Sequence, residues 1–251
     1  MAMRMSAITG AAALALALAI ATAHVSAVQA ADSKFAGLDM APDKVGGIAD
    51  LKDMKEFCGT KKIKVAYADG WGGNYWRHIT RGEFEAEAAK CPNITEVRYT
   101  DGEFKPEKQN ADIEGLIAQH FDAIIVFADT GVAQLKVMKK AMAAGIAVVP
   151  FSTGEAPFGK MGEDYLVRAT ERQTQIGTLL GEWMVKTLNG KGNVIVHGGT
   201  PGNPMTASQA VGWKAVFAKN PGIKLLEGPV DTNWDPALAQ KITAAEIAKF
   251  G

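Results

Sequence analysis

Short, continuously apolar runs alternate with longer stretches of helical periodicity from residue 61 onward. Runs that are apolar along their whole length are typical of parallel strands covered by helices on both faces. The predicted strands are Ile63–Ala68, Glu96–Thr100, Ala123–Ala128 and Ile146–Phe151, and the predicted helices are Asn74–Lys90, Pro106–His120 and Val132–Ala144. This alternation predicts a doubly wound α/β lobe over residues 61–165.

A second series of the same kind follows and predicts a second α/β lobe over residues 166–251. The predicted strands are a short one near Asp164–Arg168, then Asn193–His197 and Ile223–Val230; the predicted helices are Glu171–Leu188, Ala207–Lys219 and Pro236–Phe250. A parallel sheet with only two well-marked strands is marginal in water. We therefore expect this lobe to be incomplete in the sequence, with a further strand after Phe250-Gly251.

The first units of the two lobes resemble each other. Glycines follow Val65 at five and eight positions and asparagine at nine, and the same residues stand at the same offsets from Val194. The match involves Gly70, Gly73 and Asn74 in the first lobe and Gly199, Gly202 and Asn203 in the second. This repetition predicts two similar lobes that face each other.

The amino terminus has the pattern of a cleaved export signal. Arg4 supplies a positive charge, Gly10–Ala23 is apolar, and Val28-Gln29-Ala30 offers small residues at a cleavage site. A membrane anchor is the alternative, but the apolar run is shorter than the ~20 residues that a span requires. The pattern predicts a signal peptide over residues 1–30 and a periplasmic location, with a polar leader over residues 31–60 that is helical around Ile48–Phe57.

Charge excludes several partners. The sequence has 27 basic and 27 acidic residues, and residues 1–30 hold one of the basic ones, so the remainder carries a formal charge of −1. This leaves no basic field for nucleic acid or anionic lipid. The histidines are scattered and the two cysteines lack ligand spacing, so we expect no metal and no cofactor.

The two cysteines are expected to pair with each other. Cys58 precedes the first strand, and Cys91 follows the helix that returns antiparallel to it, so both belong at the amino-terminal end of the sheet. Exported proteins form disulfides readily. We predict a Cys58–Cys91 disulfide with a structural role; two free buried thiols are the alternative.

The loop after the first strand carries the strongest functional signal. Ligands of open parallel sheets bind outside the carboxyl ends of the strands, and this loop is rich in aromatic and polar groups. Its candidate ligand-binding residues are Asp69, Trp71, Asn74, Tyr75 and Trp76. These side chains suit a flat, polar ligand.

From Lys62 to Gly251 the chain resembles the type I periplasmic sugar-binding proteins of ABC importers, the ribose and galactose group. The resemblance rests on the order of elements and on loop positions. It implies two hinged lobes that close around a sugar or polyol and then dock on an inner-membrane permease, acting as a monomer without catalysis. The aromatic pair of that family matches Tyr75 and Trp76, and its second-lobe aromatic matches Trp234.

Two polar positions of the family differ in this chain. The Asp-Arg pair after the fourth strand reads Ser152-Thr153, and the second-lobe arginine falls at Gln209. A sugar has apolar C–H faces and a hydroxyl rim, so aromatic planes with hydrogen-bonding groups around them suit it. The resemblance implies that Trp76 and Trp234 cover the two faces while Asp69, Asn74, Ser152, Thr153 and Gln209 meet the rim.

Each candidate also has a structural interpretation. Trp71 and Trp76 could anchor the first helix, Asp69 could cap it, and Gln209 could face solvent. Ser152 and Thr153 could satisfy loop backbone, and turn chemistry is the favoured interpretation for Asp129. Two further tryptophans lie within helices at core-facing spacing. We expect Trp183 and Trp213 to be buried in the core.

Other functions fit less well. A dinucleotide enzyme using Gly70 and Gly72 would need an acidic residue about 20 positions further on, but Asp101 lies nearly 30 past Gly73. An α/β-hydrolase is suggested by His197-Gly198-Gly199, but the G-x-S-x-G elbow does not occur. The closest alternative is a periplasmic receptor of the same fold that reports a sugar or a small non-sugar signal to a chemosensory or two-component system.

Overall fold

The computed structural model describes residues 48–155 and 158–251. The predicted signal peptide and most of the predicted leader lie outside the described residues. In the part of the leader that is described, two short 3-10 helices, Ile48–Asp50 and Met54–Phe57, replace the single predicted helix. Over the described part of the chain, no helix is both long and apolar enough to cross a membrane.

Four parallel strands form the first sheet in the order β2-β1-β3-β4. They are β1 (Ile63–Asp69), β2 (Ile94–Asp101), β3 (Ala123–Val126) and β4 (Ala147–Pro150). From β1 the chain moves to β2 on one side, and it then continues through β3 and β4 on the other side. The carboxyl ends of β1 and β3 therefore form a topological switch point. Loops after β1 and β3 therefore meet at the edge where ligands bind in such sheets.

Helices cover this sheet as the apolar runs predict. They are α1 (Tyr75–Ala89), α2 (Pro106–Ala118) and α3 (Leu135–Ala143), the last preceded by a 3-10 turn at Gly131–Gln134. Side chains from both layers form one buried core that includes Ile113, Leu116, Ile124, Met138 and Val148. Burial of each such side chain contributes about 1.5–3 kcal/mol before entropy is counted.

The second sheet has two parallel strands, β5 (Gly192–Gly198) and β6 (Ile223–Asp231). The helices around it are α4 (Gln173–Thr187), α5 (Pro204–Lys219) and α6 (Pro236–Phe250). Its smaller core contains Val194, Trp213, Phe217 and Ile223. The predicted fold class, two α/β lobes with parallel sheets, is confirmed, and so is the burial of Trp213.

The short strand predicted near Asp164–Arg168 is not formed. Residues 166–169 instead run beside β4, where Leu166 N donates to Val148 O and Ala169 N donates to Pro150 O. Only isolated bridges occur here, between Phe151 and Ala169 and between Met161 and Tyr165. Glycines with positive φ before this segment turn the chain repeatedly, so no ladder of strand length develops.

The prediction that Trp183 lies in the core is wrong, because 62% of the residue is exposed. Helix α4 packs on α5 through small residues, and a Cβ added at Gly177 would lie 2.0 Å from the Gln209 carbonyl oxygen. Met184 and Val185 of α4 pack against the smaller core, but its other apolar positions lie on another face of the helix. That face exposes Ile176, Leu179, Leu180 and Trp183.

Cys58 and Cys91 are joined by a disulfide in the structure, with 5.2 Å between their Cα atoms. The bridge links the residue after the second 3-10 turn to the second residue beyond the carboxyl end of α1. It therefore ties the segment that enters β1 to the loop between α1 and β2, at the opposite end of the sheet from the switch point.

Candidate functional site

A cleft of about 320 Å³ lies between the strand ends of the first lobe and the helices of the second. Its first-lobe walls come from α1 and the loops after β3 and β4. Its second-lobe walls come from α4, α5 and the loop after β6. The lining residues are Asn74, Trp76, Arg77, Phe127, Ser152, Glu171, Gln173, Ile176, Met205, Gln209 and Trp234.

Helix α1 begins at the cleft because Asn74 caps it. The Asn74 side-chain oxygen accepts from Arg77 N at 2.9 Å, which satisfies one of the free amides of the first turn. The capping residue thereby directs the next residues, Trp76 and Arg77, into the cleft. The other group of Asn74, its Nδ2, donates to the main-chain oxygen of Trp234 at 3.5 Å.

Arg77 is the centre of a buried ionic triad. Its Nη2 donates to Asp129 Oδ1 at 2.6 Å, and its Nη1 donates to Asp69 Oδ1 in a close contact. The guanidinium lies over the ring of Phe127, 3.4 Å from the centroid. All three charged side chains are at most 3% exposed, so the triad holds two carboxylates against one cation inside the protein.

Burial, together with this charge imbalance, shifts the pKa values of the two acids. Burial raises the pKa of Asp129 to about 7; Arg77 opposes the rise, and the nearby Asp69 adds to it. Burial also raises the pKa of Asp69, again against the attraction of Arg77. The Oδ2 atom of Asp129 has no hydrogen-bond partner among the described residues, which favours the protonated form of this carboxyl.

A chain of polar side chains forms a wall that runs from the first lobe to the second. Ser152 Oγ lies within 2.8 and 2.9 Å of the two Glu171 oxygens, Gln173 Nε2 donates to Glu171 at 2.9 Å, and Gln209 Nε2 donates to Gln173 Oε1 at 2.7 Å. The close approach of Gly177 to the Gln209 backbone holds α4 and α5 together at this point. The wall therefore presents amides and a carboxylate in fixed positions.

Trp234 reaches the cleft from the loop after β6. Its ring packs over Gly199, where an added Cβ would lie 2.1 Å from a ring carbon, so a side chain there would displace the indole. The indole N–H has no partner among the described residues. Trp76 faces the cleft from α1 and meets Phe127 edge to face, with 5.8 Å between centroids. An indole from each lobe thus lines the same space.

Five of the candidate ligand-binding residues come together at this cleft: Asn74, Trp76, Ser152, Gln209 and Trp234. The other four lie elsewhere in the structure. Asp69 is fully buried in the triad, Trp71 stacks on Phe104, Thr153 is 1% exposed, and Tyr75 is 80% exposed. The geometry gives these four no place in the cleft wall.

Several of the lining residues are not among those predicted from the sequence, chiefly Arg77, Phe127, Glu171 and Gln173. One signal for Arg77 was available. Arg77 follows Trp76 directly, three positions after the cap of α1, and it is the first basic residue after β1. Two acids, Asp69 at the end of β1 and Asp129 after β3, belong to neighbouring strands. Asp69 does not cap α1, because Asn74 does. The Asp129 carboxylate binds Arg77, and the interpretation of Asp129 as a turn residue does not include this role.

Comparison with known proteins identifies the family. A model described as "Periplasmic binding protein domain" matches residues 65–250. Among curated proteins, the galactofuranose-binding protein YtfQ of Escherichia coli (strain K12) is 30% identical over 165 residues. The alignment includes 65% of this chain and 51% of that protein, so the chain spans about half the length of this relative.

Solved structures agree on the fold. An ABC sugar transporter subunit from Rhodobacter sphaeroides 2.4.1 superimposes with a TM-score of 0.65 at 22% identity, covering 76% of this chain and 66% of that one. The fructose-binding periplasmic domain of a hybrid two-component system gives 0.67 at 21% identity, covering 74% and 60%. The chain belongs to the periplasmic binding protein family, in the type I group that its sequence resembles.

Proposed function

We propose that this protein captures a small sugar or polyol in the periplasm by closing its two lobes, and delivers it to an ABC permease without altering it. The observation that carries the proposal is the cleft in which Trp76 from one lobe and Trp234 from the other line a space bordered by polar groups. Such a space complements a ring with apolar faces and a hydroxyl edge.

The polar wall supports a polyhydroxy ligand in particular. Ser152, Gln209 and Asn74 offer both donors and acceptors. The Glu171 carboxylate is an acceptor for a ligand hydroxyl. A buried hydroxyl without a partner costs about 1–3 kcal/mol, so such a wall rejects sugars with a misplaced hydroxyl. The relative YtfQ is named for binding galactofuranose, which is a sugar.

The ligand class is tested by titration. The protein is mixed with pentoses, hexoses and polyols while tryptophan emission and the melting temperature are followed, and amino acids serve as the comparison set. We expect one or a few carbohydrates to shift both signals, because closure changes the surroundings of Trp76 and Trp234. A response to an amino acid and to no carbohydrate would contradict the proposal.

The two cleft tryptophans are expected to contribute directly to affinity. Trp76→Ala and Trp234→Ala should each weaken sugar binding by about 1–3 kcal/mol, since each removes one aromatic face. Isothermal titration calorimetry measures the change. Trp183→Phe is the matched control, because it alters an indole that is exposed outside the cleft, and it should leave the affinity unchanged. The site assignment fails if the control weakens binding and Trp234→Ala does not.

A sensory role is the second candidate. The similarity to the periplasmic domain of a hybrid two-component system is as strong as that to transporter subunits, so the fold serves both purposes. A pull-down of the sugar-loaded protein from solubilised inner membranes, with the unloaded protein as comparison, distinguishes them. Enrichment of a permease supports delivery, and enrichment of a histidine kinase or chemoreceptor supports sensing.

A further inference from the structure

Asp129 contacts both the cleft and the opposite lobe. The residue follows β3 and is 2% exposed. Its carboxylate accepts from Arg77, a cleft residue, at 2.6 Å. Its main-chain oxygen accepts from Thr200 Oγ1 at 2.8 Å and from Asn203 Nδ2 at 3.3 Å, both in the second lobe. Asp129 thus contacts a cleft-lining arginine through its side chain and the second lobe through its peptide group.

The second-lobe side of this contact leads back to the cleft. Asn203 caps α5, since its side-chain oxygen accepts from Met205 N at 2.9 Å and Thr206 N at 3.2 Å. Met205 and Gln209, on the first turns of α5, line the cleft. The Asp129 peptide group is therefore one of the points at which the α5 wall is held against the first lobe.

The second lobe also lies over this residue, because Thr200 and Pro201 line the same small cavity as Asp129. The charged groups that act on it are Arg77 from α1, Asp69 from β1 and Asp101 from β2. The two second-lobe side chains that bond its peptide group, Thr200 and Asn203, are neutral and supply no second cation. Closure thus shields from water an acid whose charge is not fully balanced by Arg77, so the pKa of Asp129 is higher in the closed form than in the open form.

We propose that Asp129 is a positioning residue that couples Arg77 in the cleft to the contact between the two lobes, so that closure on a ligand takes up a proton at this carboxyl. The proposal rests on the proposed function, because it concerns closure around the same sugar. It assigns to Asp129 no contact with the ligand itself.

The sign of the pH dependence follows from linkage. An acid whose pKa is higher in the closed form than in the open form favours closure at low pH, and the advantage is lost as the pH rises through the closed-form value. Because burial raises the pKa of Asp129 to about 7, a titration from about pH 5.5 to about pH 8.5 should show sugar affinity falling as the pH rises towards 7 and levelling off above it. The loss cannot exceed about tenfold per pH unit.

Two substitutions separate the charge of Asp129 from its shape. Asp129→Asn imitates the protonated acid and keeps an acceptor for Arg77, so its sugar affinity should match that of the wild type at low pH and stay constant as the pH rises. Asp129→Ala removes the contact to Arg77 and should weaken binding about tenfold at every pH, as expected for the loss of a charged hydrogen bond. Asp112→Ala, an acid on α2 paired with Lys108, is the control and should keep the wild-type profile.

The measurement is a calorimetric titration of each variant over this pH range, with the carbohydrate that shifts the wild-type emission. The inference is overturned if Asp129→Asn keeps the wild-type profile, or if Asp129→Ala binds within about twofold of wild type at all pH values. In either case wild-type binding persists and the proposed function stands. If the wild type binds no carbohydrate, the proposed function and this inference both fail.

Discussion

Replacing Arg77 with methionine is expected to lower the free energy of unfolding by about 3–5 kcal/mol, the cost of leaving buried charges without their partner. The guanidinium is the partner of both Asp69 and Asp129, and methionine fills part of its volume without any donor. Urea denaturation followed by circular dichroism measures the change. An effect of this size would remove a large part of the stability of an ordinary domain.

Two further variants make this expectation specific. Arg81→Met removes an arginine from the same helix whose pair with Glu85 is exposed, and it should change stability by less than about 1 kcal/mol. Arg77→Met combined with Asp129→Asn should be more stable than Arg77→Met alone, because one of the stranded charges is gone. If Arg77→Met and Arg81→Met lower the free energy of unfolding by the same amount, the triad does not stabilise the fold.

Loss of the Cys58–Cys91 bridge is expected to have the second largest effect. The bridge joins residues 33 positions apart, and loop entropy gives it about 3–4 kcal/mol of stabilisation. The double variant Cys58→Ser/Cys91→Ser should lower the free energy of unfolding by that amount while leaving sugar affinity intact, since the bridge lies at the end of the sheet remote from the cleft. Reductant should destabilise the wild type equally and leave the double variant unchanged.

Much of the fold is predictable because its signals are local. Most strands of the two sheets coincide with apolar runs, and each helix predicted within the two lobes is present, with α6 matching at both ends. The repeated glycine and asparagine offsets also have a structural counterpart. Asn74 and Asn203 hold equivalent positions, and each caps the helix that follows. A helix cap needs one residue type at one place, so it is visible in a single sequence.

The errors have a common cause, which is that helical periodicity does not say which face of a helix is covered. The apolar stripe of α4 suggests that Trp183 is buried, but the fully buried residues of that helix are two glycines and Gln173. Small residues permit close approach of two helices without an apolar signal. The exposure of Trp183 therefore depends on a partner helix that periodicity alone does not identify.

The cleft was predictable where a residue acts alone and not where it acts in a network. Trp76 and Trp234 stand out as large aromatics in polar loops, and both line the cleft. Asp69 was recognised as a strand-end acid, but its place in the triad depends on Arg77 and Asp129, 8 and 60 positions further along the chain. No spacing rule joins three such residues before the sheet order is known.

Three helices, α1, α4 and α5, have residues of their first turns in the cleft wall. Each contributes roughly half a positive elementary charge at that end through the aligned dipoles of its peptide groups. Together these backbone fields offset the surplus of acidic side chains gathered there. The electrostatic potential in the cleft is consequently closer to zero than the count of aspartate, glutamate and arginine side chains indicates, which suits an uncharged ligand.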